Sequence, residues 1–301
     1  MDYNTPPAQT GTTGFNCAKG DNNVQFIKKN TAENYLEIWI DHTNSRIKVL
    51  DYRVRDWEKA LLWLDRVAAD NQSGKILFYV RRSGDYILGQ FGYVLEGIIP
   101  AFFRGDDALC YSRFTNVERA RSPYYVQEEE LLQKIKKEKH RQSAKKPDIA
   151  YRVGRIGREQ VKELVSLYRE IFTTYPSPLL NPDHVRKVMQ SHVCFYGVYA
   201  GERLVSAASA EMDMANFNAE ITDCATLPQY RGKGFLSQLI TTLEKKMPAP
   251  KMGALYSLAR AGSYGMNAVL YQLGYDYKGR FINNCHIGGR FENMNLWVKM
   301  I

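Results

Sequence analysis

The sequence predicts an α+β fold, with a mostly antiparallel sheet and flanking helices over residues 149–301 and a smaller α/β domain over 24–125 before it. The first observation is the order of elements in the second half, which is strand, helices, three strands, helix, strand, helix, two strands. This order lacks the regular strand–helix alternation of a doubly wound sheet. The second observation is the length of 301 residues, which suits two domains better than one.

The overall composition is that of a globular protein. Hydrophobic residues make up 45% and charged residues 24%, and no apolar run approaches the roughly 20 residues that cross a bilayer. The five cysteines and five histidines are scattered, which argues against a disulfide framework, against a structural metal site and for the cytoplasm. The formal net charge of +9 suits nucleic acid and a small phosphorylated cofactor alike, so charge alone chooses neither.

The first 148 residues divide into three parts. Residues 1–23 predict a polar, flexible leader without the basic and apolar segments of a secretory signal. Residues 126–148 are highly charged and contain Pro147 near their end, which predicts a linker or a solvated helix between domains, with a surface helix of one continuous domain as the alternative. Residues 24–125 combine the strand patterns YLEIWI, RIKVLDY and KILFYV with a helix whose apolar face carries Trp57, Ala60, Leu61, Leu64 and Val67.

The second half shows its elements one after another. AYRVGRI predicts a strand, REQVKELVSLYREIFTTY a helix that the three prolines of PSPLLNPD end, and HVRKVMQS a short helix. VCFYGVY and RLVSAASAEMD predict a hairpin that turns at Gly201, and AEITDCATL a further strand. A helix marked by Leu236, Leu239, Ile240 and Leu243 comes next. It is followed by a strand ALYSLAR, a helix YGMNAVLYQL and two strands around FINNCHI and NMNLWVKM.

A faint internal repeat links the two halves. ILFYVRR, a helix and FGYVLEG in the first half parallel ALYSLAR, a helix and LGYDYKG in the second, so the first domain is predicted to be a degenerate copy of the second. The alternative is that any strand–helix–glycine–strand unit looks like this. The first domain lacks an R-G-x-G turn, and we do not expect it to hold a cofactor in the same way.

The run Arg231-Gly232-Lys233-Gly234 lies between a predicted strand and a predicted helix. The two glycines remove Cβ atoms where a ligand approaches the main chain, and the amides of the first helical turn can bind an anion such as a pyrophosphate. The run is not a Walker A loop, because Leu227 stands where that loop has its first glycine and Gly234 where it has Ser or Thr. It is not a dinucleotide G-x-G-x-x-G either, because Ser237 stands at the third glycine position. The alternative is an ordinary basic turn that caps a surface helix.

The wider stretch AEITDCATLPQYRGKGFLSQLI resembles the acetyl-CoA-binding core of the GNAT superfamily of N-acetyltransferases, in which R-G-x-G-x-[GA] joins a strand to a helix. Leu236 departs from that pattern, since the family usually has Gly or Ala there. The resemblance implies acetyl-CoA as co-substrate, no metal, and a GNAT-type fold for 149–301. The cofactor-binding residues that it implies are Cys224, Ala225, Thr226, Arg231, Gly232, Lys233, Gly234, Phe235, Leu236, Ser237 and Ser263.

A narrower resemblance suggests the acceptor. ITDCATLPQYRGKG, YPSPLLNPD, FENMNLWVK and EGIIPAFFRGDDA look like the β-lysine N6-acetyltransferases, which make the compatible solute Nε-acetyl-β-lysine. This implies a small-molecule amine as partner, with Tyr175, Glu292 and Asn293 as substrate contacts, and neither a membrane nor nucleic acid. Packing and hairpin roles are the alternatives for these residues. A homodimer, acetylation of protein lysine, polyamine or RNA, and a non-catalytic acetyl-CoA-binding module stay open.

Acetyl transfer to an amine needs a neutral amine, and a lysine-type ammonium therefore calls for a general base. Glu220 and Asp223 are the candidates, and they face opposite sides of an ideal strand unless a bulge intervenes. The resemblance to histone-acetylating members favours Glu220. Cys224 as a nucleophile is disfavoured, because no histidine lies nearby in sequence.

The proton donor for the departing thiolate is less well marked. Many family members place a tyrosine four residues before the glycine of L-G-F, a position that Leu270 occupies here, and Tyr271 is displaced by about 100° around the helix. The asparagine that is common in the family corresponds to Ser263. Tyr271 is the candidate catalytic acid, and a core position is its alternative.

Overall fold

The computed structural model describes residues 24–82, 85–138, 151–247 and 253–301. The predicted leader over 1–23 and the last part of the predicted linker lie outside these residues. The helices are α1 (Trp57–Asp70), α2 (Asp85–Leu88), α3 (Val117–Ala120), α4 (Tyr125–Lys136), α5 (Val161–Ile171), α6 (Pro182–Val188), α7 (Phe235–Lys246) and α8 (Tyr264–Gln272).

Thirteen strands form one continuous sheet in the order β1-β2-β3-β4-β6-β5-β12-β13-β11-β10-β9-β8-β7. The first half contributes β1 (Val24–Asn30), β2 (Asn34–Asp41), β3 (Arg46–Val54), β4 (Lys75–Val80), β5 (Val94–Ala101) and β6 (Gly105–Phe114). The second half contributes β7 (Tyr151–Arg155), β8 (Val193–Ala200), β9 (Arg203–Asp213), β10 (Asn218–Thr226), β11 (Ala254–Arg260), β12 (Asp276–Ile287) and β13 (Arg290–Met300).

The sheet is mostly antiparallel, which confirms the predicted α+β class. Among the described strand pairs, β3 with β4 and β10 with β11 run parallel, and in each case a helix provides the crossover. The element order of the second half is also the predicted one, with a hairpin between β8 and β9 that turns at Gly201. Local patterning was sufficient here because each segment has a clear period of its own.

The two halves join at a pair of glycines. Gly97 of β5 lies directly opposite Gly279 of β12, and this is the registered pair between the two strands. A Cβ on Gly279 would clash with the backbone of Glu96 and Gly97, so glycine is required where the strands approach so closely. Outward from this pair, β5-β6-β4-β3-β2 in one direction repeats the order of β12-β13-β11-β10-β9 in the other. The origin of the first half as a degenerate copy stays a prediction.

Three apolar clusters hold the sheet and helices together. In the first half, α1 buries Leu61 and Leu64 against Ile47 and Phe78 of the sheet. In the second half, a larger cluster brings buried residues of α5 and α7 together with residues of β8, β9 and β10. The third cluster contains residues of both halves, which fixes the halves as one body; examples are Leu77, Tyr79, Tyr256, Phe281 and Met294.

Helix α4 occupies the first part of the predicted linker and is packed on one side. Leu132 and Ile135 are buried, with exposed fractions of 1% and 0%. The Tyr271 hydroxyl of α8 donates a hydrogen bond to the carbonyl of Lys136 at 2.9 Å, and the Tyr264 hydroxyl donates to the carboxylate of Glu138. The helix therefore lies against the second half instead of being solvated on all faces.

Candidate active site

Strands β10 and β11 separate at the middle of the second half. Their registered pairs join Asn218–Glu220 to Ala254–Tyr256, and beyond Glu220 the described part of β10 pairs with β9 alone. Because the two strands are parallel, their carboxyl ends leave an opening at one edge of the sheet, where backbone groups of β10 have no partner from β11. Ligands of α/β proteins commonly bind where neighbouring strands diverge in this way.

The predicted anion-binding turn follows β10 at this edge. Gly232 and Gly234 have φ angles of 77° and 83°, the left-handed region that favours glycine, and no other group lies within 4 Å of a Cβ built at either position. Helix α7 begins at Phe235 without a side-chain cap at Gly234. The amides at the head of α7 are therefore open to an anion, and the residues present fit a phosphate group.

The basic side chains of the turn are held back from its centre. Lys233 Nζ bonds the Tyr151 hydroxyl at 2.7 Å, and Arg231 Nε donates to the carbonyl of Thr226 at 3.3 Å. Ser263 stands before α8, beyond the carboxyl end of β11, and its carbonyl accepts hydrogen bonds from Asn267. The turn and Ser263 thus follow the two strands that diverge, one after each strand.

The equivalent divergence in the first half is filled. β3 and β4 pair through Arg46–Lys48 and Lys75–Leu77 and then separate. Rings of Tyr52, Trp57 and Phe78 contact one another beyond that point, with centroids 5.0–6.1 Å apart. The first half has the strand geometry but closes the opening with aromatic side chains.

A cavity of about 180 Å³ lies next to the divergence of β10 and β11 and is walled by both halves of the chain. The second half supplies Glu211, Glu220 and Asp223 from the β9–β10 hairpin, together with Tyr175. The first half supplies Trp39, Arg46, Lys48 and Tyr79, and the last part of β12 supplies Asn284 and Cys285.

A β-bulge brings both candidate bases to this cavity. The β9–β10 register shifts between Thr222 and Ala225, and Asp223 within the shift has a φ of 52°. The extra residue turns Asp223 to the face that Glu220 already occupies, so both carboxylates line the cavity. An aspartate tolerates the left-handed conformation better than most residues do.

Hydrogen bonds fix Asp223 in place. Ser209 Oγ donates to Oδ2 at 2.7 Å and the Tyr175 hydroxyl donates to Oδ1 at 3.2 Å. The Tyr168 hydroxyl donates to the Asp223 carbonyl at 3.1 Å, which holds the bulge itself. Burial raises the pKa of Asp223 to about 6, although the hydrogen bond from Ser209 lowers it.

The other charged residues of the cavity shift one another's pKa values. Burial raises the pKa of Glu220, and repulsion from Glu211, its direct partner on β9, raises it further. Burial also lowers the pKa of Lys48, against the attraction of Glu220. A carboxylate whose pKa is raised towards neutrality is suited to accept a proton from an ammonium group.

Sequence reasoning missed several polar residues of the cavity, among them Arg46, Lys48, Glu211 and Asn284. Glu211 could have been found, because the register of a β9–β10 hairpin places it opposite Glu220. The two basic residues carry no sequence signal, since β3 meets the second half through the tertiary fold alone.

Of the predicted catalytic and substrate-binding residues, three lie outside the lining of this cavity: Tyr271, Glu292 and Asn293. Tyr271 bonds the end of α4, as described above. Glu292 accepts a hydrogen bond from Arg290 at 2.9 Å, and Asn293 donates to Glu128 at 2.6 Å and to Ser122 at 2.7 Å. Their proposed roles in catalysis and substrate binding stay predictions.

The described residues contain no group of three or more His, Cys, Asp or Glu side chains that could hold a metal ion. Within those residues, no helix is both long and apolar enough to cross a membrane.

Comparison with known proteins gives consistent matches. The model of the acetyltransferase (GNAT) family matches residues 158–275. N-acetyltransferase YodP of Bacillus subtilis is 36% identical over 264 residues, which cover 87% of this chain and 95% of the relative. Beta-lysine N(6)-acetyltransferase of Methanosarcina mazei is 34% identical, covering 79% of this chain and 95% of the relative.

A second beta-lysine N(6)-acetyltransferase, from Methanococcus maripaludis, is 30% identical over 87% of this chain and 95% of its own length. Among solved structures, ribosomal-protein-S5-alanine acetyltransferase from Vibrio fischeri matches with a TM-score of 0.44 and 13% identity, covering 51% of this chain and 94% of that chain. The relatives are matched over nearly their whole length, so the similarity is not confined to one motif. The chain is an N-acetyltransferase and belongs to the GNAT family.

Proposed function

We propose that the enzyme transfers an acetyl group from acetyl-CoA to the ε-amine of β-lysine and so produces the compatible solute Nε-acetyl-β-lysine. The observation that carries this proposal is the small cavity beside the strand divergence, in which Glu211, Glu220 and Asp223 face Lys48 and Arg46. An acceptor with amines and a carboxylate has the complementary charges. The relatives named beta-lysine N(6)-acetyltransferase support the same acceptor.

Acetyl-CoA supplies the acetyl group as a thioester in this family. The main-chain amides at Gly232, Gly234 and the start of α7 would hold its diphosphate, with Arg231 and Lys233 adding positive charge at the rim. Backbone N–H groups near Cys224 and Ala225, on the edge of β10 that β11 leaves unpaired, would polarise the carbonyl. The remaining contacts proposed for the co-substrate are Thr226, Phe235, Leu236, Ser237 and Ser263.

Glu220 is the proposed general base. Its side chain is half-buried beside Glu211 and Asp223, desolvation and repulsion from Glu211 raise its pKa, and it lines the cavity in which the acceptor would bind. Asp223 is the alternative base. Because the hydroxyls of Ser209 and Tyr175 already engage both of its oxygens, it is better placed to fix the acceptor pocket than to exchange protons.

Direct transfer to the amine is favoured over an acyl-cysteine. Burial raises the pKa of the Cys224 thiol, and the neighbouring Asp223 raises it further, so the thiolate is disfavoured at neutral pH. The thiol also contacts the carbonyl of Thr222 at 3.5 Å.

Release of CoA thiol from acetyl-CoA, measured against a panel of small amines, tests the proposal. We expect β-lysine to give a higher kcat/KM than α-lysine, spermidine or a lysine peptide. Equal rates with polyamines or peptides would overturn the choice of acceptor. Binding of acetyl-CoA without turnover on any amine would instead indicate a binding module.

A further inference from the structure

The cavity has walls of opposite charge that come from different halves of the chain. On β3, Ile47 and Val49 pack into the cluster beneath α1, so the alternating residues Arg46 and Lys48 face the other side of the sheet. There they meet the acidic wall supplied by the β9–β10 hairpin. The first half of the chain therefore does more than extend the sheet: it contributes the cationic part of the cavity.

The guanidinium of Arg46 is held in place by its neighbours. Its Nε donates to Asp41 Oδ2 at 2.9 Å, and Asp41 in turn accepts hydrogen bonds from the backbone and side chain of Asn44. Its Nη1 donates to the carbonyl of Asn284 at 3.0 Å. These bonds engage Nε and Nη1, and no residue within the described ranges bonds Nη2. The group is thus pre-oriented, with hydrogen-bonding capacity left for a ligand.

Asn284 adds a buried acceptor to the same wall. Its side chain is 1% exposed and lines the cavity, and its Oδ1 has no hydrogen-bond partner among the described residues. Its Nδ2 contacts Cys285 Sγ at 3.5 Å, which fixes the orientation of the amide. A buried carbonyl oxygen without a donor is costly, and an ammonium group of a ligand would satisfy it.

We propose that Arg46 and Lys48 bind the carboxylate of the acceptor and that Asn284 accepts a hydrogen bond from its second, non-reacting amine. The site then selects a free diamino acid, and the first half of the chain supplies the two cations that select for its carboxylate. The inference rests on the proposed function and narrows it to a class of acceptor. A polyamine has no carboxylate for Arg46 and Lys48, and a lysine within a peptide has its carboxyl group in an amide bond.

The electrostatics of Lys48 agree with this arrangement. Burial lowers the pKa of Lys48, and the positive charge of Arg46 lowers it further. A ligand carboxylate between the two cations would offset both effects and favour the charged ammonium. The acidic residues on the opposite wall would receive the reacting amine, which places it close to Glu220 and Asp223.

Three acceptors separate the two contacts: β-lysine, 6-aminohexanoate, which keeps the carboxylate but lacks the second amine, and 1,4-diaminopentane, which keeps both amines but lacks the carboxylate. Lys48→Met should lose about tenfold or more in kcat/KM with the first two acceptors, mainly through KM, and little with the diamine. Asn284→Leu should lower kcat/KM with β-lysine and leave kcat/KM with 6-aminohexanoate unchanged. The exposed Lys162→Met is the matched control and should leave all three unchanged.

Equal losses with all three acceptors would show that Lys48 acts on folding or on the chemical step, and would overturn the proposal. Wild-type use of 1,4-diaminopentane as efficient as that of β-lysine would overturn it as well. Calorimetric measurement of β-lysine binding distinguishes failure of the carboxylate subsite from failure of the proposed function. Binding that weakens in Lys48→Met supports the carboxylate subsite even if no acetyl transfer occurs, whereas the absence of any binding overturns the subsite.

Discussion

Glu220 and Asp223 line the same cavity although they lie three positions apart on one strand. In a regular strand their side chains would point to opposite faces of the sheet. The register shift between Thr222 and Ala225, with Asp223 at a φ of 52°, removes that difference. The bulge lies where β10 loses β11 as a neighbour, so one irregularity both gathers the carboxylates and marks the opening of the site.

Glu220→Gln should lower kcat by about 100-fold or more, because a positioned general base contributes roughly 10²–10⁴-fold. In the wild type, a base whose pKa burial has raised must lose its proton, so kcat/KM rises with pH through that pKa. We expect this rise to flatten in the variant. Full pH–rate profiles of both proteins provide the measurement. Glu163→Gln on the exposed face of α5 is the control, and an unchanged profile in Glu220→Gln would remove this residue as the base.

Asp223→Asn should stabilise the protein at high pH. The folded-state pKa of Asp223, about 6, lies above the ordinary aspartate value of 3.8, so the stability of the protonated form is present at low pH and is lost as the pH rises through about 6. An asparagine side chain does not ionise, so the variant does not lose stability in this way, and asparagine tolerates the left-handed backbone. The stability of the variant relative to wild type should therefore grow by roughly 1 kcal/mol between pH 5 and pH 8.

Chemical denaturation at several pH values measures this difference. The exposed Asp276→Asn is a suitable control, since its side chain is 76% exposed. A constant difference in unfolding free energy across the pH range would show that Asp223 does not ionise with a raised pKa.

Gly232→Ala should raise the KM for acetyl-CoA and leave the KM for the amine nearly unchanged. The substitution places a Cβ in a turn with a φ of 77°, where no other group lies within 4 Å, and the left-handed backbone costs an alanine about 1–2 kcal/mol. Gly201→Ala, at a φ of 61° in the β8–β9 turn and equally open, carries the same strain away from the site. Initial-rate kinetics of both variants measure these KM values. An equal rise in the KM for acetyl-CoA in Gly232→Ala and Gly201→Ala would contradict a role for the turn in binding the co-substrate.

Gly279→Ala should destabilise the whole chain, by about 2–3 kcal/mol or more, because a Cβ there overlaps the backbone of Glu96 and Gly97 where the halves join. Gly289→Ala, also at a positive φ but with open space around it, should have a smaller effect. Thermal unfolding followed by circular dichroism compares the two. A separate early transition of one half would show that the sheet does not unfold as one unit.

Local sequence signals were sufficient to predict the helices and strands of the second half and the glycine-rich turn. The helical and strand periods of the second half are confirmed in the same order, and the motif around Gly232 and Gly234 lies in the strand–turn–helix context that was expected of it. These features depend on residues close together in sequence, so pattern and backbone preference determine them. The family resemblance is confirmed by relatives matched over most of the chain.

The sequence by itself therefore determined the α+β class, the order of the elements in the second half and the position of the glycine-rich turn, because each follows from short-range patterning. It also offered Glu220 and Asp223 as candidate bases on the strand before that turn. The tertiary structure alone decided that Glu220 and Asp223 share a cavity and that Arg46 and Lys48 complete its wall. A bulge depends on how a strand fits its neighbour, and the meeting of β3 with the β9–β10 hairpin depends on packing between the two halves. Neither leaves a periodic signal in the residues that form it.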